Sequence, residues 1–205
     1  MGPTDEQLVE AVLAGDTPAF DVLVQRWERK IRGAAYRIVG SDEEARDVCQ
    51  EAFLKAYRGL AGFKGGCKFS SWLYQIAINL CRDRIRRRKV RNLVSIEDLE
   101  SAVEPSWAVQ RAVAHELVEA RELSRAVSAA VASLPEEQRE VIVLKEYQGL
   151  TFPEIAEALD VPLSTVKTRL YRGLVHLRGR LEKQGIRGAT PAAAPASRLR
   201  QEMRS

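Results

Sequence analysis

Residues 151–181 read TFPEIAEALDVPLSTVKTRLYRGLVHLRGRL, and their spacing predicts helix, tight turn, longer helix. In the first helix Ile155, Ala156 and Leu159 form an apolar stripe, with Ala156 small enough for a second helix to cross close above it. In the second, Val166, Leu170, Leu174, Leu177 and Leu181 recur at helical steps and define one buried face. Pro162 disfavours continuation of the first helix, and Ser164 is placed to cap the second. Ala156, Asp160 and Val166 match the small residue, left-handed turn residue and buried branched residue of a DNA-binding helix-turn-helix. Asp stands where Gly is usual, and Asp tolerates the left-handed conformation better than most residues. With the apolar stripe inward, Thr165, Lys167, Thr168, Arg169, Tyr171 and Arg172 fall mainly on the outer surface, where they can reach base edges and phosphates in a major groove.

The rest of the chain is patterned the same way. Helical periodicity runs over 5–14, 18–39, 42–59, 70–90, 107–133, 135–148, 151–159 and 164–184, and no run of alternating β-branched residues makes a strand. The expected fold is all-α, two small helical domains joined by an acidic flexible linker. Residues 92–106 lack sustained periodicity and end near Pro105, which divides the chain into an N-terminal domain over 1–91, a linker over 92–106 and a C-terminal domain over 107–184. The Ala/Pro/Gly-rich tail over 185–205 reads as disordered in isolation.

Composition narrows the function. The 205 residues carry no run approaching the roughly 18 apolar residues of a membrane span, and Met1 is not followed by a basic and then an apolar segment, so the expectation is a cytoplasmic protein. Cys49, Cys67 and Cys81 stand apart from any Cys-x-x-Cys or Cys/His pair, and the two histidines, His115 and His176, belong to no familiar catalytic motif. The reading is therefore of reduced thiols serving as small hydrophobes, with no catalytic residue, no metal site and no cofactor.

The formal net charge of +4 conceals a segregation. Residues 41–51 sum to −4, 82–91 to +6, 92–110 to −4 and 164–183 to +5, so two basic blocks flank an acidic stretch. That pattern offers two surfaces to a polyanion. The first block adjoins FKGGCKFSSWLYQIAINLCRDRIRRRKV, where Phe63, Phe69, Trp72 and Tyr74 stand beside Lys64 and Lys68. Aromatic rings interleaved with cations suit single-stranded nucleic acid, whose bases need ring faces and whose backbone needs positive charge. For each ring a place in the core is an equal alternative, with Leu73, Ile76, Ala77 and Leu80 as the expected buried stripe. Upstream, SDEEARDVCQEAFLKAYRGL forms an amphipathic helix with Asp47, Gln50 and Glu51 on its polar edge.

The strings DVCQEAFLKAY, FSSWLYQIAINLCRDRIRR, LPEEQREVIVLKEYQGLTFPEIAEAL and STVKTRLYRGLVHLR, in this order, resemble an extracytoplasmic-function (ECF) sigma factor of bacterial RNA polymerase, within the sigma-70 family. The resemblance covers about 20–90 as region 2 and 123–181 as region 4. It departs from the family's pattern at Ser164, where Gly is common, in the long approach over 107–122 and in the added tail.

The resemblance implies that Asp47, Gln50 and Glu51 grip the polymerase β′ clamp helices. It implies that Phe63, Lys68, Trp72, Asn79, Arg82 and Arg86 read and melt the −10 promoter element, with Phe63 and Asn79 near a pocket for a flipped base. Residues Thr165, Lys167, Thr168, Arg169, Tyr171 and Arg172 would read the −35 element. The partners implied are core RNA polymerase, through its β′ clamp helices and β flap, promoter DNA both duplex and single-stranded, and an anti-sigma factor. The acidic linker would enter the RNA-exit path. Two other classes stay open on the residues alone. A dimeric helix-turn-helix regulator would need no aromatic and basic N-terminal helix, and a metal-dependent nuclease would need converging carboxylates, whereas those over 42–51 spread around a helix.

Overall fold

The computed structural model describes residues 2–63, 65–94 and 116–186. Every regular element among them is helical: α1 Asp5–Leu13, α2 Pro18–Val39, α3 Asp42–Gly59, a 3-10 turn Leu60–Gly62, α4 Phe69–Val94, α5 Glu116–Ala132, α6 Glu136–Ile142, a π-helical turn Val143–Tyr147 continuing α6, α7 Phe152–Leu159 and α8 Leu163–Lys183. Helix α4 includes the first residues of the expected linker, so the helical part of the N-terminal unit outruns position 91. The remainder of the linker, Lys64, the start of the 107–122 approach and the tail over 187–205 lie outside the described residues.

Local chemistry sets the boundaries. Thr4 and Thr151 each accept from the backbone N–H three residues on, while Gln7 and Glu154 reach back to the cap N–H, two reciprocal capping boxes. Ser41 caps α3 by accepting from the Glu44 N–H, and Gly40, at φ 82°, ends α2 in the left-handed region that glycine enters without strain.

Helices α1 to α4 make the N-terminal bundle. Leu23, Ile31 and Ile38 of α2, Ala45, Val48 and Ala52 of α3, and Leu73 of α4 are wholly buried. Three of the four residues expected to be buried on α4, Leu73, Ala77 and Leu80, are buried, and Ile76 is half-buried. Burial on α4 also takes in Phe69, Tyr74, Ile78, Cys81 and Ile85, too many positions for a single stripe. The reason is that α4 packs on α2 and α3 and also on α7, so two domains cover it.

In the C-terminal domain α7 and α8 form the helix-turn-helix. Asp160 holds the turn at φ 53°, ψ 52°, the left-handed cap that the spacing predicts, and its N–H donates to the Ala156 and Glu157 carbonyls. Two details differ from the sequence reading. Helix α8 begins at Leu163 with Pro162 at the cap position, so Ser164 makes no cap and instead its carbonyl accepts from the Thr168 hydroxyl, 2.9 Å away. The buried face runs Val166, Leu170, Gly173, while Leu174 is 41% exposed. At Gly173 a Cβ would sit 2.8 Å from Ile142 Cδ1, so α6 crosses α8 where no side chain intervenes and the buried line shifts by one position.

The left-handed turn sets the angle between α7 and α8. Asp160→Ala should lower stability by about 1 kcal/mol, because a Cβ without a locally bonding side chain is strained there, while Asp160→Gly should not. Urea unfolding of the full chain checks the difference.

Candidate nucleic-acid interface

The outer face of α8 comes together as the spacing predicts. Thr165, Thr168, Arg169 and Arg172, one and two turns apart, line a shallow depression of about 290 Å³ with Ser164 and Glu137. Thr168 and Arg172 are exposed, while Arg169 folds back onto α6 and pairs with Glu137 at 2.9 Å. Lys167 and Tyr171, one turn apart on the flank, are half-buried, and the Lys167 ammonium stands 6.0 Å from the Phe152 ring centre. Hydroxyls, guanidinium groups and an ammonium on the first turns of one helix can donate to base edges and phosphates.

Along α4 the N-terminal set divides in two. Phe63, Phe69 and Trp72 form an aromatic cluster in which Phe63 and Trp72 lie 5.0 Å apart at 33° and Phe69 is wholly buried. Trp72 lies against the backbone of Gly59, where an added Cβ would come within 3.3 Å of the ring. Tyr74 is core, its ring edge-to-face with Trp27 and its hydroxyl hydrogen-bonded to Gln148 at 3.0 Å. Phe63 and Trp72, both half-buried, are thus the rings left with a face toward solvent.

Farther along, Asn79, Arg82 and Arg86 line a cleft of about 620 Å³ between the domains. Phe63 stands apart from that cleft, against Trp72, so this arrangement of the chain does not bring Phe63 and Asn79 into one pocket.

The basic residues of α4 are not all open. Arg82 donates to both carboxylate oxygens of Glu140, at 2.7 and 2.6 Å, and to Asn79 at 3.3 Å. Glu140 is 1% exposed. Lys68 pairs with Glu154 at 2.7 Å and Lys89 with Glu136 at 3.2 Å. Arg86 stays exposed, 3.8 Å from Asp83. The hydrogen bond from Lys68, helped by the Thr151 backbone and hydroxyl, pulls the Glu154 carboxyl down to about 2.

On α3, Asp47 and Gln50 are exposed and Glu51 half-buried, on one face of the helix. Arg84 reaches Asp47 at 3.1 Å and Glu51 at 3.6 Å, fixing both carboxylates. Leu54, one turn on from Glu51, continues this face and is 49% exposed. Sequence reasoning missed Leu54, whose position at the expected helical step was the available signal, and it missed Arg84. It also missed Glu136, Glu140 and Glu154 as partners of the basic helix. For Glu154 the capping box was a signal of its place but not of Lys68, and for Glu140 there was none. Burial pushes the Cys49 thiol up to about 11 and the Cys81 thiol up to about 12, so both are protonated core groups. Among the described residues no three His, Cys, Asp or Glu side chains gather to hold a metal, and no helix is long and apolar enough to cross a membrane.

Comparison with known proteins gives two family matches, Sigma-70 region 2 over residues 23–91 and Sigma-70, region 4 over residues 124–177. The chain is 39% identical over 176 residues to the RNA polymerase sigma-H factor of Pseudomonas aeruginosa, covering 82% of this chain and 89% of that one. It is 40% identical over 176 residues to the ECF RNA polymerase sigma factor SigW of Bacillus subtilis, covering 84% and 94%. With the ECF RNA polymerase sigma-E factor of Escherichia coli K12 it shares 37% over 172 residues, covering 82% and 90%. Among solved structures, CnrH in complex with the cytosolic domain of CnrY matches with a TM-score of 0.64 and 26% identity, covering 86% of this chain and 96% of that one. The sigma factor RpoE of Bartonella quintana, solved with the anti-sigma factor NepR, matches with a TM-score of 0.64 at 22% identity, covering 80% and 96%, a likeness of fold.

The Lys68–Glu154 contact carries a pH signature. A carboxyl depressed in the folded chain adds stability that is fully present above its unfolded value near 4.5 and is lost as pH falls toward about 2. Wild type should therefore melt above Glu154→Gln by a constant margin at pH 5 to 7, as an order-of-magnitude window from linkage, and the margin should close on acidification below it. Thermal melts in a pH series check this.

Proposed function

Since the chain belongs to the sigma-70 family as an RNA polymerase sigma factor of the ECF type, we propose how its two domains divide the work of promoter recognition. The N-terminal domain binds core polymerase and opens the −10 element, and the C-terminal domain reads the −35 element. The observation that carries this reading is the coexistence, in one chain, of a helix-turn-helix with a donor-rich outer face and a second helix that joins solvent-facing rings to cations. A regulator that reads only duplex DNA has use for the first and none for the second.

Asp47, Gln50 and Glu51 form the docking face for the polymerase clamp, with Leu54 as its apolar continuation and Arg84 as the group that positions both carboxylates. Exposed carboxylates held in place suit a basic partner, and a half-exposed leucine beside them supplies the area to desolvate. On the DNA side, Phe63 and Trp72 offer ring faces to unstacked bases, Asn79 can donate to and accept from a base edge, and Lys68, Arg82 and Arg86 answer the phosphates. On α8, Thr165, Thr168, Arg169 and Arg172 face the duplex, with Lys167 and Tyr171 on the flank. The protein supplies no chemistry of its own in this reading; the polymerase makes the bonds. CnrH, solved with the cytosolic domain of CnrY, and RpoE of Bartonella quintana, solved with the anti-sigma factor NepR, each hold a second protein, which supports a protein partner for this chain as well, of the anti-sigma class.

Charge reversal at an interface costs more than the loss of a contact. Asp47→Arg combined with Gln50→Ala should abolish co-purification with core polymerase while leaving helical content unchanged, because both side chains are exposed. Wild-type retention of polymerase would refute the docking face.

Strand opening has its own test. Phe63→Ala and Asn79→Ala should each let the holoenzyme bind promoter duplex yet fail to melt it, since holding an unpaired base takes stacking and edge contacts of about 1 to 3 kcal/mol. A template with a premade bubble should restore much of the lost transcription, because unpairing is then already done. Permanganate footprinting on both templates checks it; equal defects on duplex and bubble would contradict the role.

A further inference from the structure

Glu137 belongs to α6, outside the helix-turn-helix, yet its side chain stands in the depression that Thr165, Thr168, Arg169 and Arg172 line on α8. The other groups around that depression are hydroxyls and guanidinium groups, so Glu137 places the one carboxylate among them. A carboxylate there repels the phosphates that the basic groups attract.

Packing does not call for it. At Gly173 an added Cβ would meet Ile142 Cδ1 at 2.8 Å and Gln138 Cβ at 3.4 Å, so α6 and α8 already touch at the level of the backbone. One turn farther along α8, Gln138 Oε1 lies 2.8 Å from His176 Nδ1. Glu137 reaches the other way, toward the start of α8, where it takes the Arg169 Nη2 at 2.9 Å. Its side chain is 67% exposed and that of Arg169 19%, and a pair so open on one side adds little to stability. What the pair does fix is direction. Arg169 follows Val166 by one turn and adjoins Leu170, both buried, so its stem is confined and the carboxylate pins its far end. A guanidinium is planar and carries donors on three nitrogens, so holding one nitrogen aims the others.

We propose that Glu137 is a specificity-determining residue of the −35 interface: it aims the Arg169 fork at one base edge and, by its own charge, penalises contacts that any phosphate could satisfy. The proposal rests on the functional reading above for duplex DNA as the ligand, and on the α6 to α8 geometry for the role.

An arginine discriminates among bases only when its donors are presented as a fork to a base edge, whereas a contact to phosphate carries no sequence information. Without Glu137 the Arg169 guanidinium swings to the nearest phosphate, which every duplex offers. With Glu137 in place that phosphate would have to approach a carboxylate. One residue therefore lowers affinity for all sequences and keeps the arginine on one base. Specificity is a difference of affinities, and a repulsive group is a direct way to widen it.

The test uses the holoenzyme formed from the full chain and core polymerase, on duplex fragments from a promoter at one of its mapped start sites. Affinity is measured for the natural −35 element, for each single-base change in it and for a scrambled element. The wild type should prefer the natural base at the position read by Arg169 by about fivefold or more. Glu137→Gln should cut that preference at least about threefold at that one position. The same variant should bind the scrambled element more tightly and with a salt slope steeper by about one ion, the mark of one added phosphate contact. Glu137→Asp, which keeps the charge, should hold the scrambled affinity near wild type. Arg169→Ala should erase the preference at the same position, and adding Glu137→Gln to it should change that preference no further.

An unchanged preference in Glu137→Gln would overturn the proposal. So would an equal loss at every −35 position, which would mean that α8 as a whole has shifted, or a loss that persists in the Arg169→Ala background, which would mean that Glu137 does not act through Arg169. A wild-type holoenzyme without preference at any position would refute the −35 reading itself, and the proposal with it, so the two failures are told apart by the wild type alone.

Discussion

Glu140 is 1% exposed, with the chelating Arg82 guanidinium 58 positions earlier in the chain. A buried carboxylate without a partner is intolerable, and breaking such a pair from one side typically costs about 3 to 5 kcal/mol. That single requirement ties the middle of α4 to the start of α6. Together with the packing of α7 on α4, it accounts for burial on α4 beyond one stripe and for a basic block that lies along an acidic wall. The same contact also raises the affinity of Arg82 for its proton, through the hydrogen bonds to Glu140.

The elements around this contact follow from simpler rules. Alanines at 45, 52 and 56 let α3 lie close against its neighbours, and Gly173 does the same service where α6 crosses α8. Two guanidinium groups gather at the C-terminal end of α2, Arg88 donating to the Val39 carbonyl and Arg139 to that of Ile38. Positive charge at a helix C-terminus is favourable, and here one donor comes from each domain. The boundary between the domains is thus built from groups that also finish a helix.

Much of the architecture was legible in the sequence because it is local. Capping residues, the left-handed Asp160, the prolines and the helical period of the apolar positions place nearly every helix among the described residues, and the outer residues of α8 follow from the inner ones. The misplaced details are the ones where two helices meet. Leu174 belongs to the apolar period, yet Gly173 takes the buried position because α6 comes too close for a side chain, a fact that periodicity does not contain. Tyr74 reads equally as a stacking platform or as core until Gln148 and Trp27 are found beside it. The site was legible as residue types and charge, and less so as partners. Nothing in the spacing of Lys68, Arg82 and Lys89 announces that glutamates from the other half of the chain occupy them, since pairing over such separations is decided by tertiary packing. Asp47 and Glu51 were legible as a polar edge, but Arg84, which holds them, lies in another helix.

Both the donor-rich outer face of α8 and the aromatic and basic α4 have a purpose only if this chain carries a polymerase to defined start sites. The direct measurement is in vitro transcription on genomic fragments with core RNA polymerase, with and without the purified chain, followed by mapping of transcript 5′ ends. The account predicts new start sites that appear only with the chain and share a pair of upstream elements at fixed spacing. Start sites unchanged from those of core polymerase alone would contradict it.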